Sequence, residues 1–146
     1  MKKKDVIFVT VQFILFGLFA VTGQKSLVGS IWSSVGLWIS IIGFLIICIS
    51  LLQLNKNLSP FPSPKAGSEL VTSGLYSMVR HPIYLGIIVM FGGYSLYTGS
   101  WVRLLITIVL VFLFHYKSEY EENLLIDKFD EYRDYTKSTN KIFPFL

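Results

Sequence analysis

The residues best suited to chemistry begin with the tripeptide Arg80-His81-Pro82, which opens an apolar run. Pro82 has the fixed backbone torsion of a first helical turn, so His81 is expected near the cap, where free backbone N–H groups attract anions. Arg80 adds a permanent positive charge, and His81 adds a donor or acceptor near neutral pH. Tyr84 adds a hydroxyl group one turn later. The alternative is that Arg80 only snorkels to lipid headgroups and His81 only caps the helix.

A second polar group follows the last apolar run and contains Lys117, Glu121 and Glu122. The two runs are joined by the short turn 98–100 and have about equal length, so their polar ends are expected at the same membrane depth. Cationic side chains and a helix N-terminus would then face carboxylates. This arrangement suits a small zwitterionic ligand with an extra positive charge, which is the pattern of S-adenosylmethionine. A solvated acidic face that only pairs with Arg80 is the alternative.

The elements that must position these groups are long apolar segments. The chain has 146 residues, of which 53% are apolar and 15% charged, with a mean hydropathy of +0.59. This composition excludes a soluble globule and leaves too few residues for a sheet-based nucleotide enzyme. It predicts an all-α polytopic membrane protein with about four transmembrane helices, the last two a helical hairpin, in a single domain, 1–146. The predicted spans are 6–23, 31–54, 82–97 and 101–116.

Two of these spans leave alternatives open. The first, 6–23, follows three lysines and has the layout of a secretory signal peptide, but three further apolar runs favour an uncleaved helix. The third and fourth spans are slightly short for a bilayer core. Their hairpin is therefore expected to thin the bilayer locally, to pack against the neighbouring helices or to turn back before the far surface.

The charge distribution predicts the orientation. With the N-terminus inside, all of the 13 Lys and Arg residues except Lys25 and Arg103 lie on the cytoplasmic side, as do the nine acids. Both termini are therefore expected in the cytoplasm, with a cytoplasmic segment 55–81 and a cytoplasmic tail 117–146. The alternating prolines of 55–81 bar a helix, and its apolar residues predict that it folds back onto the membrane face. The pattern Glu121–Tyr135 predicts a C-terminal helix continuing from the fourth span.

Composition also limits the partners. The net charge of +4 is spread over the ends of apolar segments and does not form a basic stripe, so no nucleic-acid partner is expected. Cys48, the single cysteine, allows neither an internal disulfide nor a Cys/His metal site, and no metal is expected.

The order of these residues resembles the isoprenylcysteine carboxyl methyltransferase family and its phospholipid methyltransferase relatives. The resemblance covers about 57–146 and departs from the family at Lys117, where relatives commonly have arginine, and at Asp130, where many have glycine. It rests on Leu70-Val71-Thr72-Ser73-Gly74, Tyr76, Arg80-His81-Pro82, Tyr84, Gly86, Glu121-Glu122, Leu125, Phe129, Tyr132, Tyr135 and Pro144.

The resemblance implies an integral membrane methyltransferase, in a bacterial-type inner membrane, that uses S-adenosylmethionine. A lipophilic or prenylated acceptor would reach the site sideways from the bilayer. Arg80, His81 and Glu122 would be the catalytic residues. The implied cofactor-binding residues are Tyr76, His81, Pro82, Tyr84, Gly86, Glu121 and Glu122.

The expected reaction is carboxyl methylation of an isoprenylcysteine-like acceptor. A carboxylate acceptor needs only a positioning cation, for which Arg80 is the candidate, whereas an amine needs a base such as His81 or a glutamate. Phospholipid or small-molecule N- or S-methylation is the alternative reaction, and a non-catalytic membrane scaffold is the alternative function. The sequence does not predict the oligomeric state.

Overall fold

A computed structural model describes residues 2–22, 30–64 and 66–144. The predicted end of the first span at Gly23 lies outside the described residues, as do Lys25 and Lys65. The described part of the chain is all-α, as the sequence predicts. It contains the helices α1 (Lys3–Val21), α2 (Ser30–Leu54), α3 (Pro82–Thr98), α4 (Trp101–Lys128) and α5 (Tyr132–Ser138), with short 3-10 turns at Asn55–Asn57 and Gly74–Ser77.

Three stretches of the described chain are long and apolar enough to cross a membrane: Lys3–Val21, Ile31–Asn57 and Trp101–Lys128. The fourth apolar helix, α3, has 17 residues. At about 1.5 Å per residue it is about 26 Å long, slightly less than a hydrocarbon core of about 30 Å. These helices confirm the predicted polytopic membrane protein, while the side on which the termini lie stays a prediction.

Helices α2 and α3 are in backbone contact along glycines. A Cβ atom added at Gly43 of α2 would lie 2.3 Å from the backbone nitrogen of Met90, and one at Gly93 of α3 would lie 2.4 Å from that of Ser40. Side chains at these positions would hold the two backbones apart, so glycine is what permits this close approach. The pair positions the start of α3 beside the end of α2.

The predicted hairpin of α3 and α4 is confirmed. Gly99 ends α3 in the left-handed conformation, with φ at 60°, and the Ser100 side chain caps α4 by accepting the Arg103 N–H. Leu110 and Phe114 of α4 are fully buried in the core beside α3. Helix α1 packs against α4, and its Phe19 ring also stacks on Phe91 of α3.

The prediction of one continuous helix up to Tyr135 is wrong. Helix α4 passes the predicted span end but stops at Lys128, where Phe129 is extended, and α5 then begins at Tyr132. The turn directs Tyr132 and Tyr135 back into the protein, where they are 2% and 9% exposed. Burying these two rings stabilises the fold. This gain outweighs the loss of the hydrogen bonds that the three residues between α4 and α5 would form in a continuous helix.

The segment 55–81 folds back over the helix ends, as predicted. The Leu75 N–H donates to Gln53 of α2 at 3.0 Å, and the Lys128 ammonium donates to Ser68 at 2.6 Å. Pro62 is fully buried. The segment therefore closes over the ends of α2 and α4 at the same level as Arg80 and the paired glutamates.

Candidate active site

The Arg80-His81-Pro82 turn is held in place by the segment of the chain that follows α5. The Arg80 N–H donates to the Asn140 carbonyl at 2.8 Å, and the His81 N–H donates to the Lys141 carbonyl at 3.0 Å. His81 is the N-cap of α3 and Pro82 occupies its first turn, as the sequence predicts. Two backbone hydrogen bonds from outside the helix thus fix the direction in which both side chains leave it.

Glu122 of α4 is the common partner of the Arg80 and His81 side chains in this turn. Its Oε1 accepts from Arg80 Nε at 2.7 Å and lies 3.1 Å from His81 Nε2. Arg80 Nη1 also donates to the carbonyls of Thr136, at 3.1 Å, and Thr139. All three side chains are at most 14% exposed, so the charges of Arg80 and Glu122 must compensate each other. The guanidinium joins the start of α3 to α4 and α5.

Glu121 lies beside this group and contacts a different partner. The Tyr84 hydroxyl donates to its Oε2 at 2.6 Å, and His81 Nδ1 lies 3.8 Å from the same atom. The Tyr84 ring is stacked between His81 and Phe114, with centroids 5.2 Å and 4.6 Å away. This stack leaves Tyr84 little freedom, so its hydroxyl fixes the Glu121 carboxylate.

These groups open onto a cavity of about 340 Å³, within the range of about 300–1,000 Å³ typical of small-molecule sites. Its walls are mostly apolar, with a few charged groups on one side, and the segment that follows α2 closes its top. It extends between α1 and α2, where Gln12, Leu51 and Leu54 line it. Its other lining residues include Tyr76, Arg80, His81, Pro82, Tyr84, Ile87, Lys117, Glu121, Leu125, Phe129, Tyr132 and Tyr135.

Three tyrosines form the end of the cavity under α5. Burial, and then the nearby carboxylates, raises the pKa of Tyr76 and of Tyr132 well above the usual value for a phenol. Burial raises the pKa of Tyr135 to about 12, and its hydroxyl donates to the Tyr76 carbonyl. All three phenols are therefore neutral donors over the physiological pH range.

The raised pKa of Tyr135 predicts a pH dependence. The native state holds this proton more tightly than the unfolded chain, whose phenols titrate near about 10. Its contribution to stability is complete below that pH and is lost as the pH rises towards about 12. We expect Tyr135→Phe to reduce the fall in the thermal midpoint between these pH values, and to cost about 1 kcal/mol at neutral pH because the Tyr76 carbonyl loses its donor.

Thermal unfolding in detergent, followed from neutral to alkaline pH, checks this. Tyr116→Phe is the matched control, because Tyr116 is 60% exposed. An alkaline slope for Tyr135→Phe equal to that of the unchanged protein would contradict the prediction.

The structure brings most of the predicted site residues together. Arg80, His81, Tyr84, Glu121 and Glu122 are linked by successive contacts into one group, and Tyr76 and Pro82 line the same cavity. Gly86 does not line the cavity: a Cβ there would lie 2.7 Å from Ile47 and 3.0 Å from the Gly43 carbonyl, both on α2. Its contact is helix packing, and its part in cofactor binding stays a prediction.

Sequence reasoning missed Gln12, which belongs to α1. Its Oε1 accepts from Lys117 Nζ at 2.7 Å, and the same ammonium donates to the Pro60 carbonyl at 3.3 Å. Lys117 is 2% exposed, lies 5.3 Å from the centre of the Tyr84 ring, and pairs with no carboxylate among the described residues. A glutamine inside an otherwise apolar span was the available signal, since such residues seldom face lipid.

Comparison with known proteins gives consistent results. A family model described as phospholipid methyltransferase matches residues 31–132. The chain is 31% identical over 101 residues to the protein-S-isoprenylcysteine O-methyltransferase of Schizosaccharomyces pombe, covering 66% of this chain and 43% of that protein. It is 40% identical over 72 residues to methanethiol S-methyltransferase 1 of Bradyrhizobium diazoefficiens, covering 49% of this chain and 25% of that protein.

A third relative is the nickel-cobalt-cadmium resistance protein NccN of Alcaligenes xylosoxydans xylosoxydans, 37% identical over 86 residues, covering 58% of this chain and 40% of that protein. The chain thus spans less than half the length of each of these curated relatives. The matched range 31–132 includes the contacts of Arg80 and His81 with the paired glutamates and leaves out α1.

Proposed function

Since the chain belongs to the phospholipid methyltransferase family, we propose that it transfers a methyl group from S-adenosylmethionine to the carboxylate of a lipophilic acceptor, at the membrane interface. The observation that carries the proposal is the cavity bounded by the Glu121 carboxylate on α4 and by the first turn of α3. The match to a membrane methyltransferase family supports the reaction class.

The residues present fit S-adenosylmethionine. The cavity of about 340 Å³ suits a small molecule, and Glu121 supplies a fixed negative charge for a cationic ligand. The same wall includes Arg80 and Lys117, which supply positive charge for a carboxylate. When bound, S-adenosylmethionine supplies an activated methyl group, and the reaction needs no protein nucleophile.

The protein's own residues would then bind, orient and exclude water. Tyr84 holds Glu121 in a single direction, and Glu122 holds Arg80 and His81 in another, so the charged wall of the cavity is preorganised. The apolar residues of α2 and of the segment above it keep the cavity dry, which favours a reaction whose charge disperses as it proceeds.

A carboxylate acceptor is favoured over an amine by the state of the candidate bases. His81 and Glu122 are already paired with each other, and Glu121 accepts from Tyr84, so taking a proton from an amine would disrupt an existing contact. A carboxylate needs only a cation. Lys117 Nζ contacts neutral oxygens of Gln12 and Pro60, so its charge is available to an anionic group.

The proposal predicts cofactor binding that depends on Glu121. Purified protein in lipid nanodiscs is expected to bind S-adenosylmethionine, and Glu121→Gln to weaken that binding about tenfold, because a partly buried charge-assisted contact contributes about 1.5–3 kcal/mol. Isothermal titration calorimetry measures both affinities. Glu119→Gln is the control, because Glu119 is half-exposed on the same helix and pairs with His115.

Two outcomes would contradict the proposal. Failure of the unchanged protein to bind S-adenosylmethionine would favour a non-catalytic scaffold. If binding occurs, incubation of membranes with radiolabelled cofactor separates the reactions, since a methyl ester is base-labile whereas N-methyl and S-methyl products are not. Base-stable product alone would overturn the carboxylate acceptor and leave methyl transfer in place.

A further inference from the structure

Lys117 and Glu121 of α4 have the spacing of an ion pair but do not form one. They lie about one helical turn apart, where side chains of opposite charge are neighbours and attract each other. Both side chains line the same cavity. In the part of the chain that the structure describes, however, Lys117 contacts neutral oxygens and Glu121 contacts Tyr84. Other residues therefore hold these two charges apart.

The Lys117 ammonium is turned toward α1. Its Nζ donates to Gln12 Oε1 at 2.7 Å and to the Pro60 carbonyl at 3.3 Å. An ammonium group only donates, so the Gln12 amide must present its oxygen to it. Lys117 is 2% exposed, and these two oxygens take the place of water. Gln12 makes the shorter of the two contacts that keep the ammonium in this position.

Tyr84 lies between the two charges. Its hydroxyl donates to Glu121 Oε2 at 2.6 Å, and its ring centre lies 5.3 Å from Lys117 Nζ. A cation over an aromatic face is attracted by the ring. The carboxylate is thus held at the hydroxyl end of Tyr84 while the ammonium lies over the ring. Gln12 on one side and Tyr84 on the other keep the pair open.

Glu121 is the carboxylate that a released ammonium would reach. Asp5 of α1 also attracts Lys117. Asp5 does not line the cavity, however, and its Oδ2 already accepts from the Ser63 hydroxyl at 2.6 Å. Lys117 and Glu121 share the open space of the cavity, so the flexible lysine side chain can turn toward Glu121 without displacing the backbone.

We propose that Gln12 is a positioning residue that keeps the Lys117–Glu121 pair open. A closed pair would cancel both charges and occupy the cavity between them. An open pair leaves one positive and one negative group for ligands, and buried charges gain most from a partner that compensates them. Helix α1 lies outside the range 31–132 that matches the family model, so this contact is an addition to the matched region.

The ligands that an open pair suits carry opposite charges. Resting on the proposed function, this inference reserves Glu121 for the cationic cofactor and Lys117 for the carboxylate of the acceptor. The open pair itself does not depend on that function, because it is a property of the empty cavity.

The coupling between Lys117 and Glu121 tests the proposal without ligand. Thermal midpoints in detergent are compared for Lys117→Met, Glu121→Gln and the double variant. In the otherwise unchanged protein, the two single shifts are expected nearly to add. On a Gln12→Met background the ammonium pairs with Glu121, so each single substitution leaves a lone charge. The double variant should then lose about 5 °C less than the sum of the single shifts.

Cofactor affinity provides the second test. Gln12→Met is expected to weaken S-adenosylmethionine binding about tenfold, as Glu121→Gln does, because Lys117 then neutralises Glu121. On a Lys117→Met background the same Gln12→Met change should leave the affinity unaltered, since no ammonium competes. Gln12→Glu keeps an acceptor for Lys117 and should bind the cofactor at least as tightly as the unchanged protein. Isothermal titration calorimetry in nanodiscs measures these affinities.

Thr10→Val is the matched control, because Thr10 is an exposed polar residue of the same helix. It should change neither the coupling nor the affinity. If Gln12 only packs α1 against α4, Gln12→Met should weaken binding equally with and without Lys117, which would overturn the proposal. So would an unchanged Lys117–Glu121 coupling in Gln12→Met, the result expected if the ammonium turned to Asp5.

The two tests separate this inference from the proposed function. If Gln12→Met raises the coupling but the unchanged protein does not bind S-adenosylmethionine, the open pair is supported and the proposed function is contradicted. If the unchanged protein binds S-adenosylmethionine while Gln12→Met leaves the coupling as it was, the proposed function stands and the role of Gln12 is refuted.

Discussion

Glu122→Ala is expected to abolish S-adenosylmethionine binding and to lower the free energy of unfolding by about 3–5 kcal/mol, the cost of leaving a buried cation without its partner. Arg80 and His81 have side chains only 10% and 6% exposed, and both contact the same carboxylate oxygen. Without that oxygen the Arg80 guanidinium loses its counter-charge and draws in water. The first turn of α3 would then lose the geometry that lines the cavity.

The substitution is expected to reach α5 as well. Arg80 donates to the Thr136 and Thr139 carbonyls while Glu122 holds its Nε, so a released guanidinium would loosen the C-terminal helix from the bundle. Tyr135, which lines the cavity from α5, would move with it. Amide exchange in α5 should therefore increase together with the loss of affinity.

Thermal unfolding in detergent and calorimetric titration check the Glu122→Ala prediction. Glu119→Ala is the matched control, since it removes a carboxylate of the same helix that is half-exposed and pairs with His115; its cost should lie within about 1 kcal/mol. Glu122→Gln, which keeps an acceptor for Arg80 but not the charge, should fall between the two. A Glu122→Ala protein as stable as the control would contradict the structural account of this carboxylate.

The contacts made by Glu122 were predictable from sequence because they follow from local rules and a single hairpin. Proline at the first turn of α3 fixes His81 as its cap, and the glycine in a three-residue turn forces antiparallel helices. The two predicted spans that flank this turn have about equal length, so Arg80 and the paired glutamates lie at the same depth in the membrane. Each step depends on neighbouring residues or on helix length, which sequence reasoning handles well.

The polar contacts of α1 were not predictable in the same way. Gln12 contacts Lys117 across 105 positions, and Ser63 contacts Asp5 across 58. Gln12 indicates a face of α1 that avoids lipid, but the sequence does not indicate which helix that face meets or at what height. Those contacts are set by packing between distant helices, for which an apolar sequence pattern provides no register.

The break before α5 was missed for a related reason. The spacing of apolar residues after Glu121 fits a single helix, and nothing as strong as proline interrupts it. The helix stops because Tyr132 and Tyr135 bury more apolar surface when the chain turns back onto the cavity than they would in a continuous helix. Tertiary burial overrides local preference there, which the pattern alone does not reveal.

Gly43→Leu is expected to separate α2 from α3 and prevent the chain from reaching its native fold in detergent. An added Cβ would already lie 2.3 Å from Met90 N, and 2.7 Å from the Gly86 carbonyl oxygen and from Met90 Cα. All three are backbone atoms, which cannot turn aside as a flexible side chain can. Even Gly43→Ala should cost about 1–3 kcal/mol, the range for overpacking a tight contact, and the larger leucine should exceed it.

Gly17→Leu distinguishes this effect from a general intolerance of larger side chains in membrane helices. Gly17 lies within α1, and a Cβ there meets nothing within 4 Å. The Gly17→Leu protein should unfold at the same temperature as the unchanged protein. The Gly43→Leu protein should aggregate or elute as an unfolded species in size-exclusion chromatography. Because α2 carries Leu51 and Leu54 at the cavity wall and α3 carries His81 at its cap, separating the helices should also abolish cofactor binding. A folded, cofactor-binding Gly43→Leu protein would mean that the two backbones do not touch.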